Sequence, residues 1–218
     1  MKPAINHHAS PAGYAGRQPD RQEERSEGYY HPGFSAHAVK VLLGEHKISQ
    51  RADEMLVTTL GSCIAACIRD PVLQLGGMNH FLLPQAPRGH DEGAAAAARY
   101  GGVAMERLIN EILRRGGRRD RLEVKVFGGA KVIASSNPIG KHNAEFVLEF
   151  IRAEGLTLVG QDLGGMLARR IHYFPSTGRV MRRLLRKEAV PDMIQSEMRF
   201  MSDLEIKPIE GDIELFGD

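Results

Sequence analysis

The chain has 218 residues, 42% of them hydrophobic, enough for one packed domain of ordinary size with tails. A formal net charge of +2 argues neither for nor against nucleic acid, and no apolar run approaches the length of a membrane span, which excludes direct membrane insertion by a helix. Only two cysteines occur, Cys63 and Cys67, and no secretory signal opens the chain, so a disulfide-stapled secreted domain is excluded and a cytoplasmic home is expected.

Residues 1–36 are rich in His, Pro, Gly, Arg, Glu and Ser and poor in aliphatics. They read as a disordered extension, and their scattered histidines as polar filler. The domain is expected to span 37–190. It opens with a strand over 38–44, and a polar connection over 49–54 leads into a second strand, Met55-Leu56-Val57-Thr58-Thr59.

The next stretch carries the chemistry. Thr58-Thr59-Leu60-Gly61-Ser62-Cys63 runs into Ile64-Ala65-Ala66-Cys67-Ile68-Arg69-Asp70-Pro71, and Leu75-Gly76-Gly77-Met78-Asn79-His80-Phe81-Leu82-Leu83-Pro84 follows. Two apolar runs around an Asp-Pro turn signal predict a β-hairpin. A two-residue turn at Pro71-Val72 pairs Asp70 with Leu73 and Cys63 with His80, on one face and roughly 4.5–5.5 Å apart at Cβ. Pro71 disfavours so tight a turn, so a longer loop of the same parity is expected. A thiol beside an imidazole is the minimal unit for covalent acyl chemistry. The small residues Gly61 and Ser62 let backbone N–H groups approach an oxyanion. Cys67 reads as a small buried hydrophobe. Four strand residues span about 13 Å, too far for a disulfide to Cys63.

Residues 85–93 form a loop with His90 and Asp91. Cys63, Cys67, His80 and His90 do not have the spacing of a zinc site, so no metal is expected. A helix over 94–115 has its apolar stripe on Val103, Leu108, Ile109, Ile112 and Leu113, with Gly102 as a point of close approach and Gly116-Gly117 as the stop. The strand 122–127 ends at Gly128-Gly129-Ala130, a tight turn lining the site. A turn-rich loop over 135–143 opens a second helix, 144–154, followed by a strand over 156–160. Asp162, before Gly164-Gly165, is either a carboxylate that orients an imidazole or a turn former. A last hairpin, 169–174 with 178–185, has a basic face and no nucleic-acid motif, and it suits an acidic helical bundle. Residues 191–218 form an acidic C-terminal tail, to be docked on that face, offered to a partner or left unstructured. Strands alternating with two substantial helices predict the α/β class, a layered sandwich with a mixed sheet.

The motifs Thr-Thr-Leu-Gly-Ser-Cys and Gly-Gly-Met-Asn-His-Phe-Leu-Leu-Pro, in this order and separation, resemble CheD, the chemoreceptor glutamine deamidases of bacterial chemotaxis. The Gly-Gly-Ala and Asp-Leu-Gly-Gly segments resemble it too, and the likeness covers roughly residues 40–190. It implies a layered α/β fold with Cys63 as nucleophile and His80 as acid and base. The family's threonine falls on Thr58 or Thr59, with Thr58 preferred. It further implies a cofactor-free hydrolase that converts receptor glutamines to glutamate through a thioester and releases ammonia. The expected partners are methyl-accepting chemotaxis receptors and a CheC-type phosphatase. The competing expectation is a non-catalytic module that binds receptors or such a phosphatase. Methyl-ester hydrolysis by the same pair is a third.

Overall fold

The computed structural model describes residues 28–84, 91–132, 138–186 and 190–206. Its strands are β1 (Gly28–His31), β2 (Ala36–Lys40), β3 (His46–Ser49), β4 (Glu54–Leu60), β5 (Ile64–Asp70), β6 (Leu75–Asn79), β7 (Glu123–Gly128), β8 (Thr157–Leu163), β9 (Ala168–Phe174) and β10 (Arg179–Leu185). The helices are α1 (Asp91–Arg114), α2 (Ile139–Ala153) and α3 (Pro191–Ile206).

The strands form two five-stranded mixed sheets, ordered β1-β2-β4-β9-β10 and β3-β6-β5-β7-β8. Among the described residues only β2–β4 and β7–β8 run parallel, the second pair joined through α2 as a βαβ unit. Leu56, Leu60, Ile171 and Tyr173 of the first sheet meet Ala65, Cys67 and Met78 of the second, with Cys63 and Leu82 just outside its strands in the same cluster. The alternate side chains Ile64, Ala66, Ile68, Val124 and Val126 pack on Met105, Leu108, Ile109 and Ile112 of α1 and on Val147 and Ile151 of α2. The order is therefore sheet, sheet, helices, which is the expected α/β sandwich with a second mixed sheet added. β5 is covered on both faces, and so its sequence is a continuous apolar run rather than an alternation.

The β5–β6 hairpin keeps the expected parity in a different register. Asp70 pairs with Leu75, Cys67 with Met78 and Ile64 with Phe81. The turn therefore holds four residues, not two, and Gln74 takes the left-handed conformation at φ 52°. Asp70 closes it from a fully buried position. Its Oδ1 accepts from the N–H groups of Val72 (2.9 Å) and Leu73 (3.2 Å), and its Oδ2 from Arg121 Nη2 (2.6 Å). A shift of two residues leaves every side chain on its original face, so Cys63 and His80 still share one.

Four further expectations change. Gly28–His31 already pairs with β2, inside the stretch expected to be a disordered extension. His46–Ser49 is a strand on the edge of the second sheet. The close approach on α1 is at Gly101, where a Cβ would lie 2.4 Å from Phe146 Cε1 of α2, whereas Gly102 faces open space. Pro191–Ile206, within the expected acidic tail, is a helix. His90 and the loop residues 133–137 lie outside the described residues.

Candidate active site

β4 ends at Leu60 and β5 starts at Ile64, so Gly61, Ser62 and Cys63 form the bend by which the chain crosses from one sheet to the other. The bend is held from below. Gly129 N–H donates to Cys63 O (2.9 Å), Ala130 N–H to Gly61 O (2.7 Å) and Asn143 Nδ2 to Ser62 O (3.1 Å). Asn143 is fully buried, and its Oδ1 also accepts from Leu83 N–H at 2.8 Å, which ties the bend to the segment after β6. His80 follows β6 directly, and its N–H donates to Glu45 O while its own carbonyl accepts from Gly44 N–H.

Cys63 Sγ and His80 Nε2 are 2.9 Å apart, and His80 Nδ1 is 2.9 Å from Thr58 Oγ1. Thr58 Oγ1 also lies 2.8 Å from Val41 O, an atom that only accepts. A hydroxyl has one proton, and Thr58 gives it to Val41. Thr58 must then accept from His80, so Nδ1 carries the ring proton, with the Val41 carbonyl as a second acceptor at 3.4 Å. Nε2 is left with a free lone pair directed at the thiol, the tautomer a general base requires. Thr59 points elsewhere and accepts from Arg170 Nε at 3.2 Å.

A fourth side chain completes the cluster. Glu197 of α3 is buried against the bend, with Oε1 accepting from the N–H of Gly61 (3.1 Å) and of Cys63 (3.4 Å) and lying 2.8 Å from Cys63 Sγ, so that it and His80 Nε2 are alternative acceptors for the one thiol proton. Its Oε2 accepts from Ser62 N–H (3.2 Å) and Ser62 Oγ (2.6 Å). Three successive N–H groups thus converge on one carboxylate, an anion-binding concavity made by the backbone. Gly61 leaves the room for it, since a Cβ there would meet Glu197 Oε1 at 2.9 Å and Met193 Cε at 2.9 Å.

The family model described as "CheD chemotactic sensory transduction" matches residues 82–184. A protein of Rhodopseudomonas palustris (strain BisA53) is 50% identical over 195 residues, covering 89% of this chain and 92% of its own. The chain belongs to the CheD family. A relative from Halorhodospira halophila is 44% identical over 192 residues, 86% of this chain and 88% of its own, and one from Bordetella avium is 50% identical over 158 residues, 72% and 69%. All three carry the name "Probable chemoreceptor glutamine deamidase CheD". The family-model match begins two residues after His80, so the Cys63–His80 pair is covered by the relatives and not by the model match.

Of the side chains singled out in this CheD sequence, Cys63, His80 and Thr58 meet. Asp162 does not join them. Its Oδ1 lies 3.1 Å from Arg169 Nη1 and its Oδ2 3.0 Å from Arg182 Nη1, so the carboxylate fastens β8 to β9 and β10. His172 packs beside Phe34 and His31. Cys67 is buried within β5, where burial pushes its thiol far up. Among the described residues no group of three His, Cys, Asp or Glu side chains is arranged to hold a metal ion. Glu197 and Asn143 were not anticipated. For Glu197 the signal is present, because Val190, Met193, Ile194, Glu197 and Phe200 recur at helical spacing and place an acid in the middle of an apolar stripe.

Both groups of the Cys63–His80 pair are held neutral. Burial raises the Cys63 thiol well above its ordinary value, and the adjacent Glu197 carboxylate adds to the rise. Burial pushes His80 down from 6.5 to about 4. Between those two values the unfolded chain holds a proton on this ring that the folded chain does not. Stability therefore falls as pH drops through that window, by roughly 3 kcal/mol in all for this residue. Urea denaturation from pH 7 to pH 4 is expected to give a shallower loss of stability in His80→Gln than in wild type. Equal slopes would refute the burial of a neutral ring.

Proposed function

We propose that this protein is a glutamine deamidase acting on chemoreceptors, as its relatives are named, with Cys63 as nucleophile, His80 as proton carrier and Thr58 as the group that holds the imidazole. The single observation that carries this is the 2.9 Å contact between Cys63 Sγ and a His80 Nε2 whose tautomer is set by Thr58.

In the reaction His80 Nε2 takes the thiol proton as Cys63 Sγ attacks the side-chain carboxamide carbon. The developing oxyanion is met by the Gly61 and Cys63 N–H groups, which already converge on a single oxygen position, that of Glu197 Oε1. His80 gives its proton to the nitrogen, the C–N bond breaks, and ammonia leaves a thioester. Water, deprotonated by His80, attacks the thioester, and the returning proton restores the thiol as glutamate departs. Amide and water become acid and ammonia, and the written steps draw on no cofactor.

The proposed setting is the cytoplasm, where both cysteines stay reduced, and the proposed domain is the expected 37–190 stretch extended N-terminally to take in β1. A CheC-type phosphatase is a further proposed partner, on family resemblance alone. The test is mass spectrometry of a receptor cytoplasmic fragment after incubation with the enzyme. Amide-to-acid conversion at defined glutamines is expected, and its absence on several receptors that still bind would favour the non-catalytic module instead.

Thr58 offers a finer check. Thr58→Val keeps the shape but removes the acceptor that fixes Nδ1–H, and kcat is expected to fall about 10²-fold with KM little changed. Thr58→Ser should recover most of the loss. A change confined to KM would refute the positioning role.

A further inference from the structure

The carboxylate in the concavity belongs to the chain itself. Glu197 is 1% exposed, and every polar contact it makes at the site is with Gly61, Ser62 or Cys63, the residues that would receive a reacting acyl group. A carboxylate touching the sulfur hinders formation of a thiolate, so Glu197 is no help to the nucleophile. It has instead the length and chemistry of the side chain that deamidation produces, carried on a helix.

The packing of α3 suits an occupant that comes and goes. Met193 and Ile194 lie half-buried on a small cluster of Ala130, Val132, Ala168 and Val190, and Phe200, also half-buried, packs on the edge of the core between the sheets and reaches Tyr100 edge-on at 6.5 Å. Met198, on the same helix, is 54% exposed. A cavity of about 540 Å³ remains between α3 and the first sheet, lined in part by Thr58, His80, Met193 and Glu197. The helix covers the catalytic group without filling the space beside it.

We infer that α3 is a tethered product mimic, which holds the active site closed by placing Glu197 where the product carboxylate of a substrate would sit, and that substrate engages only when α3 is displaced. This rests on the deamidase reading above for the word product, whereas the closure itself rests on the contacts alone. Protein glutamine and glutamate residues on exposed helices are the side chains that compete for the same place.

The first arm of the test reads closure without catalysis, by native alkylation of the full chain with iodoacetamide, followed at Cys63 and Cys67 by mass spectrometry. Cys67, buried within β5, reports unfolding. Glu197→Ala and Gln195→Pro, the second of which breaks α3 at an exposed position, are each expected to label at Cys63 at least about tenfold faster than wild type, with Cys67 still protected. Wild-type rates in both variants, or acceleration at Cys63 only together with Cys67, would overturn the closure.

The second arm reads the product mimicry. In Glu197→Gln the occupant becomes an amide, and with its NH₂ in the place of Oε2 the Ser62 hydroxyl can reverse to accept from it, while the Ser62 N–H loses its acceptor. The introduced amide is expected to be hydrolysed back to the acid at a rate independent of protein concentration, and to persist when Cys63→Ala is added. Persistence in a sample that still deamidates a receptor fragment would overturn the mimicry and leave the deamidase standing. An inactive wild type that keeps the alkylation contrast would remove the deamidase reading and leave α3 as the closing element.

Discussion

Cys63→Ala is expected to lower receptor-glutamine deamidation by at least about 10⁴-fold, some 5.5 kcal/mol of transition-state stabilisation, while the receptor fragment binds as before. The size follows from the reaction's division of labour. Without sulfur there is no thioester, and a water molecule must attack an amide directly, with only the backbone N–H groups of the bend and His80 left to assist. Cys63→Ser should recover little, because an alkoxide is far harder to form than a thiolate and His80, pushed down to about 4 by burial, is a weak base. Cys67→Ala is the matched control. It removes the other thiol, four residues along and inside β5, and is expected to leave turnover intact at a modest cost in stability. Loss of activity in Cys67→Ala alone, or retention in Cys63→Ala, would each sink the assignment of the nucleophile.

The Cys63–His80 pairing could be approached from the sequence because side-chain direction in a hairpin depends on parity, and parity survives a turn longer by two residues. Pro71 spoke against a two-residue turn, and the loop is the longer one expected, with four residues. The buried Asp70 accepts from two N–H groups of this loop, an arrangement whose partners Arg118 and Arg121 lie about fifty residues away. The division into two sheets was not legible for a similar reason. β4 pairs with β9, more than a hundred residues on, and alternation along a strand says which side chains are buried but not against which neighbour. β1 and β3 were missed as short edge strands with polar residues in a polar context. Glu197 was missed because the net acidity of residues 191–218 drew attention away from a helical stripe that includes it. An acid placed on an apolar face is a local inconsistency, and such inconsistencies concentrate at functional sites.

Gly128→Ala is expected to damage both stability and catalysis, which separates it from substitutions that touch only the chemistry. Gly128 ends β7 opposite Ile64, at φ 119°, a region open to glycine and costly for any residue with a side chain. An added Cβ would lie 2.0 Å from Cys63 O, 3.0 Å from Cys63 C and 3.2 Å from Ile64 Cα. These neighbours are backbone, so no rotamer change relieves the contact, and the bend that carries Cys63 must move. Backbone strain of this kind costs about 1–3 kcal/mol, and the overlap adds to it. Displacing Cys63 by even about 1 Å from a His80 now at hydrogen-bond distance is expected to lower kcat about 10²-fold in the molecules that remain folded. The denaturant midpoint should fall without a change in m, and turnover per folded molecule should fall with it. A variant as stable as wild type would show that β7 relaxes away from the bend, and full turnover in a destabilised one would show that Cys63 is positioned by something other than the strand beneath it.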